Sequence, residues 1–196
     1  MNIIIINTAC GNLYSLQSAI KKIGFNALIT NNPNKIRQAD KIFLPGVGSV
    51  KSAMNTLQKY NLIQMIFSCK KDILGICLGM QILGKYSMES NGIHTLNILD
   101  YDVNIINNTN LPVPHMGWNT INYSKFSPIL YNIPDQTYFY FSHSYIINTN
   151  QYTIATSHYH KFFSAIIQYK NFFGVQFHPE KSGMAGLQLI KNFLKI

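Results

Sequence analysis

A cysteine, a histidine and a glutamate stand where their types and spacing suit acyl transfer. The cysteine is Cys77, in the run Ile73-Leu74-Gly75-Ile76-Cys77-Leu78-Gly79-Met80-Gln81. An apolar strand, a sharp turn at the cysteine and a helical continuation make this Gly-x-Cys-x-Gly pattern the thiol version of the Gly-x-Ser-x-Gly nucleophile elbow. Gly75 and Gly79 carry no Cβ, so strand and helix can approach closely around a strained turn. The thiol then projects from a strand end over a helix N-terminus, where the dipole and free N–H groups favour thiolate.

The base is His178, in Phe173-Gly174-Val175-Gln176-Phe177-His178-Pro179-Glu180. An apolar strand delivers the histidine to its end, and Pro179 prevents the strand from continuing. Glu180 can fold back onto the ring, fix its tautomer and stabilise the imidazolium. The far ring nitrogen is then free to take the proton of Cys77. Taken singly, a buried cysteine is an ordinary small core residue and His-Pro-Glu an ordinary solvated loop. Two such patterns, each at a strand-to-turn junction, favour catalysis by Cys77, His178 and Glu180. An acyl intermediate also needs oxyanion donors. The N–H of Leu78, next after the nucleophile, is one. The glycines flanking Val47 in Leu44-Pro45-Gly46-Val47-Gly48 would let a peptide rotate to offer the second, although the same segment also reads as a plain strand-to-helix turn.

The elements that must position these groups read as one α/β domain over residues 1–196. Strands are predicted at Asn2–Asn7, Ala27–Thr30, Lys41–Leu44, Asp72–Ile76, Ala165–Tyr169 and Phe172–Phe177. Helices are predicted at Leu13–Ile23, Ser49–Tyr60, Leu62–Lys70, Leu78–Tyr86 and Gly186–Leu194. Their alternation in the first half calls for βα units and a mainly parallel sheet, which gathers strand C-termini at one edge. Asn12 is placed as the N-cap of the first helix and Gly24 as its C′ residue. Between Leu96 and Thr156, pieces such as Gln136–Ser142 and Tyr145–Thr149 suggest antiparallel strands at one side of the sheet.

Composition narrows the class. The chain has 196 residues, 47% of them hydrophobic, and no apolar run long enough to span a membrane. Its N-terminus lacks a basic segment and a signal-length apolar stretch, so a cytoplasmic location is expected. Cys10, Cys69 and Cys77 show no disulfide or zinc spacing, and neither a metal nor a cofactor is expected. The net charge is +9, but it arises from only 7 acidic residues against 16 basic ones. The lysines are dispersed without a basic stripe, so a nucleic-acid partner is not expected; a protein partner with an acidic face is more plausible.

Gly-Ile-Cys-Leu-Gly-Met-Gln together with His-Pro-Glu resembles the class I, triad-type glutamine amidotransferases. Further segments narrow the resemblance: Gly11-Asn12-Leu13-x-Ser15, Pro45-Gly46-Val47-Gly48, Pro114-His115-Met116-Gly117-Trp118-Asn119, Tyr140-Phe141-Ser142-His143-Ser144-Tyr145 and Gln176 through Gly183. Present together and in order, they are similar to the stand-alone glutaminase subunits of imidazole glycerol phosphate synthases, from Met1 to Ile196. The resemblance implies a flavodoxin-like fold and release of ammonia from glutamine through a γ-glutamyl thioester. It implies glutamine contacts at Gly46, Gly48, Gln81, Glu89, His143, Ser144 and Tyr145. It also implies a heterodimer with a (β/α)8 cyclase subunit, with Asn12, Trp118 and Lys181 as candidates for the shared surface; a core position is the competing reading for Trp118. Asn7 and Ala9 depart from the aspartate and glycine common in that family. The alternatives are a paralogous glutaminase feeding another synthetase, a binding module with an inert elbow, and a basic nucleic-acid binder.

Overall fold

The chain is described here by a computed structural model that covers residues 1–8, 13–46, 48–107 and 110–196. Short runs of β-branched and apolar residues form β1 (Ile3–Ile6), β2 (Ala27–Thr30), β3 (Lys41–Gly46) and β4 (Asp72–Cys77). Helices α1 (Leu13–Lys22), α2 (Pro33–Arg37), α3 (Val50–Lys59) and α4 (Ile63–Phe67) fill the connections. After Cys77 come α5 (Leu78–Gln81) and β5 (Tyr86–Ser87), β6 (Ile93–His94), β7 (Asp102–Ile105), β8 (His115–Thr120) and β9 (Asn122–Tyr123). The remainder comprises β10 (Tyr138–His143), β11 (Tyr145–Ile147), β12 (Thr153–Tyr159), β13 (Lys161–Tyr169), β14 (Phe172–Val175) and α6 (Gly183–Lys195).

Among the described residues the main sheet has eight strands in the order β2-β1-β3-β4-β14-β13-β12-β9. The first five pair in parallel and the last three antiparallel. Parallel strands are buried on both faces, which is why they read as unbroken apolar runs. Alternate side chains enter opposite cores: Ile3, Ile5, Phe43, Leu74 and Ile76 on one side, Ile4, Ile6, Ile42, Leu44 and Ile73 on the other. Leu16 and Ile20 of α1 with Leu189, Ile190 and Phe193 of α6 cover the first face. Ala53 and Leu57 of α3 with Ile66 of α4 cover the second. Two smaller sheets, β10-β8 and β11-β7-β5-β6, add antiparallel pairs and one parallel pair beside the main one.

Local signals explain several boundaries. α1 ends in a Schellman motif: the Gly24 N–H donates to Lys21 C=O, the Phe25 N–H to Ile20 C=O, and Gly24 has φ +89°. Ser49 caps α3 by accepting from the Ser52 N–H. α2 was not expected; Asn32 at its N-cap followed by Pro33 is the signal for it. Asn12, the expected cap of α1, lies outside the described residues.

The helix expected over Leu78–Tyr86 stops at Gln81. Its following carbonyls are taken from outside: Ile82 C=O accepts from the Leu96 N–H, Leu83 C=O from Ile98 and Leu99, and Gly84 C=O from Asn97. Tyr86 goes instead to a strand. The helix expected over Leu62–Lys70 is likewise shorter, at Ile63–Phe67. Strands β8 and β12 were not foreseen, and β13 begins four residues before the predicted Ala165.

Candidate active site

Three adjacent parallel strands end together at the site. In the register, Gly46 of β3 lies opposite Cys77 of β4, and Val175 of β14 lies opposite Ile76. The turn at Cys77 is sharp, with φ 53° and ψ −109°, a region that non-glycine residues seldom occupy. Its neighbours make it possible. A Cβ on Gly79 would sit 1.7 Å from Leu44 O, and one on Gly75 would sit 2.6 Å from Gly79 O. Thr8 adds a tie from the β1 end, its hydroxyl donating to Pro45 C=O at 3.1 Å.

His178 is fixed from both sides. Its N–H donates to Tyr140 C=O at 2.9 Å. The Ser182 hydroxyl donates to His178 C=O at 2.7 Å while accepting from the Tyr140 N–H at 3.0 Å. A single 3-10 turn, Pro179–Lys181, brings Glu180 back so that His178 Nδ1 meets Glu180 Oε1 at 2.9 Å, both side chains buried. Burial works against charge on this imidazole, but the Cys77 sulfur and Glu180 outweigh it and raise its pKa to about 10. The expected help from a helix N-terminus is small, because α5 has one turn and hence little summed dipole. The cation beside the sulfur is the imidazolium.

A cleft of about 380 Å³ opens over Cys77 and His178. Gly46, Gly48, Leu78, Gln81, Glu89, Pro114, Ser142, His143, Ser144, Tyr145 and Lys181 line it. Glu89 is half-buried, and burial raises its pKa, offset in part by the Val50 N–H that donates to Oε1 at 3.2 Å. Gln81 is buried and spends Nε2 on Tyr145 C=O at 2.9 Å and on Gln176 Oε1 at 3.0 Å. His143 bonds Tyr145 C=O through Nδ1 at 2.9 Å and His115 Nδ1 through Nε2 at 3.0 Å. Burial lowers the pKa of His143 to about 3 and that of His115 to about 4.

Val47, the second oxyanion candidate, and Asn12 lie outside the described residues. Trp118 lies outside the cleft. It is on β8, not in a loop, and is 56% exposed, which removes the core reading. Its ring meets Tyr140 edge-to-face at 6.1 Å, and Lys181 Nζ stands 5.5 Å above the same Tyr140 ring. Gln176, Ser182 and His115 were assigned no role from the sequence, although each belongs to this construction. The available signal for Gln176 was a polar residue inside the apolar run Phe173–Phe177.

Residues 4–196 match the family described as "Glutamine amidotransferase class-I". The chain belongs to the class-I glutamine amidotransferase family. Among similar class-I amidotransferases, the "Imidazole glycerol phosphate synthase subunit HisH" of Blochmanniella pennsylvanica (strain BPEN) is 53% identical over 196 residues, all of both chains. The protein of that name from Salmonella typhimurium (strain LT2) is 46% identical, again over all of both chains. A crystal structure described as a glutamine amidotransferase shares the fold, with TM-score 0.75 and 14% identity over 98% of this chain and 97% of that one. No helix among the described residues of this amidotransferase is long and apolar enough to cross a membrane.

Proposed function

We propose that this chain is the glutaminase subunit of an imidazole glycerol phosphate synthase, working as one domain over residues 1–196. The observation that carries the proposal is the Cys77 elbow facing the buried His178–Glu180 pair in a cleft. The full-length likeness to HisH subunits supports the choice of pathway, histidine biosynthesis.

In the proposed reaction, Cys77 Sγ attacks the side-chain carbonyl carbon of glutamine, and a C–S bond forms. The oxyanion is held by the Leu78 N–H and by an N–H at Val47. His178, oriented by Glu180, gives its proton to the amide nitrogen, the C–N bond breaks, and ammonia leaves. His178 then takes a proton from water as the water attacks the thioester. Glutamate departs and the thiolate returns. Glu89 is suited to the substrate's α-ammonium, and Gly46, Gly48, Gln81, His143, Ser144 and Tyr145 to the rest of the amino acid. Ammonia passes to a (β/α)8 cyclase subunit, the partner in a heterodimer, which makes imidazole glycerol phosphate and aminoimidazole carboxamide ribotide. The surface holding Trp118 and Lys181 is the one read as facing that partner.

The test is Cys77→Ala in the complex with the cyclase. Glutamine-dependent synthesis is expected to vanish while synthesis from added ammonia persists. Retention of glutamine-dependent turnover would overturn the assignment of the nucleophile. Loss of both activities would make Cys77 an assembly residue. A wild-type glutaminase that the cyclase and its nucleotide fail to stimulate would point to another acceptor enzyme.

A further inference from the structure

Gln176 is fully buried, and its carboxamide lies between two other site residues. Its orientation follows from an unambiguous acceptor. Tyr145 C=O can only accept, so the Gln81 atom 2.9 Å from it is the amide nitrogen, Nε2. That same nitrogen is 3.0 Å from the Gln176 carboxamide, which must therefore present its oxygen. Gln176 Nε2 is left facing Cys77 Sγ, at 3.6 Å. A fixed N–H thus points at the sulfur from the core side. Ser142 O also approaches the sulfur, at 3.7 Å; it can accept from a thiol but offers nothing to a thiolate.

We propose that Gln176 is a positioning residue for the nucleophile: its side-chain N–H holds the Cys77 sulfur in the thiolate form and in line with the cleft. Gln81 sets the direction of that N–H, so a residue of the substrate pocket and the nucleophile share one chain of hydrogen bonds, Tyr145 C=O to Gln81 to Gln176 to Cys77. A sulfur anion on a side chain as buried as Cys77 has lost most of its water and needs such donors, because each one replaces a lost water. The proposal rests on the reading of Cys77 as the nucleophile, but its alkylation test needs neither glutamine nor the partner.

The test is the pH dependence of Cys77 alkylation by iodoacetamide, followed on the Cys77 peptide by mass spectrometry. Gln176→Met keeps the volume and removes the donor. Its alkylation midpoint is expected about one pH unit above wild type, a tenfold loss of thiolate at a given pH below it. Gln176→Glu keeps the acceptor for Gln81 and sets a carboxylate oxygen against the sulfur; its midpoint should rise further. In the cyclase complex, kcat should fall in both while KM for glutamine changes little. Native alkylation profiles in folded variants would overturn the proposal. Loss of the fold in both would overturn it too, because Gln176 would then be a scaffold residue. Failure of the Cys77→Ala test, by contrast, would remove the nucleophile and leave the alkylation result standing.

Discussion

His115 and His143 face each other beside the cleft, and their protons can be placed. Tyr145 C=O only accepts, so His143 carries its proton on Nδ1 and its Nε2 accepts from His115 Nδ1–H. His115 Nε2 is then left to accept from Asn119 Nδ2 at 3.4 Å. Adding a proton to either ring puts two donors face to face, and burial opposes the charge as well. The folded-state values of about 4 and about 3 lie below the ordinary imidazole value. The unfolded chain therefore binds more protons in this window, so stability is full above about pH 6.5 and is lost as pH falls toward 4 and then 3. His178 has the opposite sign: raised to about 10, its contribution is full below about 6.5 and fades as pH climbs toward 10. His115→Phe tests the acid side. The ring stacks on Tyr159 at 3.9 Å and on Phe141 at 5.0 Å, contacts that phenylalanine keeps. It leaves His143 Nε2 without its donor, at a cost of about 1–3 kcal/mol at neutral pH. Thermal melts should show a lower Tm at pH 7 but a smaller further loss on going to pH 4 than in wild type; an unchanged acid slope would refute the assignment.

The elbow is the element on which the site depends, and Gly79 is where it is tightest. With a Cβ only 1.7 Å from Leu44 O, Gly79→Ala must push β3 away from β4 and α5. A loss of about 4 kcal/mol or more is expected in urea unfolding, a large share of a typical domain's stability. A loss under about 1 kcal/mol would mean that the strands give way freely. This part of the fold was legible in the sequence, because the glycine spacing and the two-face-buried runs are local facts. The helix expected over Leu78–Tyr86 failed for a non-local reason. Ile82, Leu83 and Gly84 continue a helical pattern, but the Leu96 N–H takes the Ile82 carbonyl that the Tyr86 N–H would need to extend the helix. β8 was missed because His-Met-Gly-Trp-Asn-Thr has weak strand character by itself and becomes a strand by pairing with β10. Gln176 was visible as an oddity but not as a donor, because the residue that aims it, Gln81, lies 95 positions earlier.

At the scale of the molecule, Trp118, Tyr140 and Lys181 form an aromatic and cationic cluster on the surface beside the cleft. As an interface anchor Trp118 should matter to assembly and not to folding. Trp118→Ala is expected to weaken cyclase binding at least about tenfold in a titration, and the Tm of the free chain should stay within a degree or two. Equal affinity in the variant would place the shared surface elsewhere. The sheet order has a consequence for how the chain is made. β14 joins two blocks: β2-β1-β3-β4, complete by residue 77, and β13-β12-β9, spanning residues 122–169. On a ribosome, β4 therefore waits with a bare hydrogen-bonding edge until nearly the whole chain has emerged. That edge, Ile73 to Ile76, is apolar and open to wrong pairing, so the stretch of synthesis before Phe172 is when aggregation threatens most. It is also a safeguard. The same strand that seals the edge carries His178 in behind it, so on the proposed mechanism a chain terminated before this strand holds Cys77 without its base and is expected to release no ammonia.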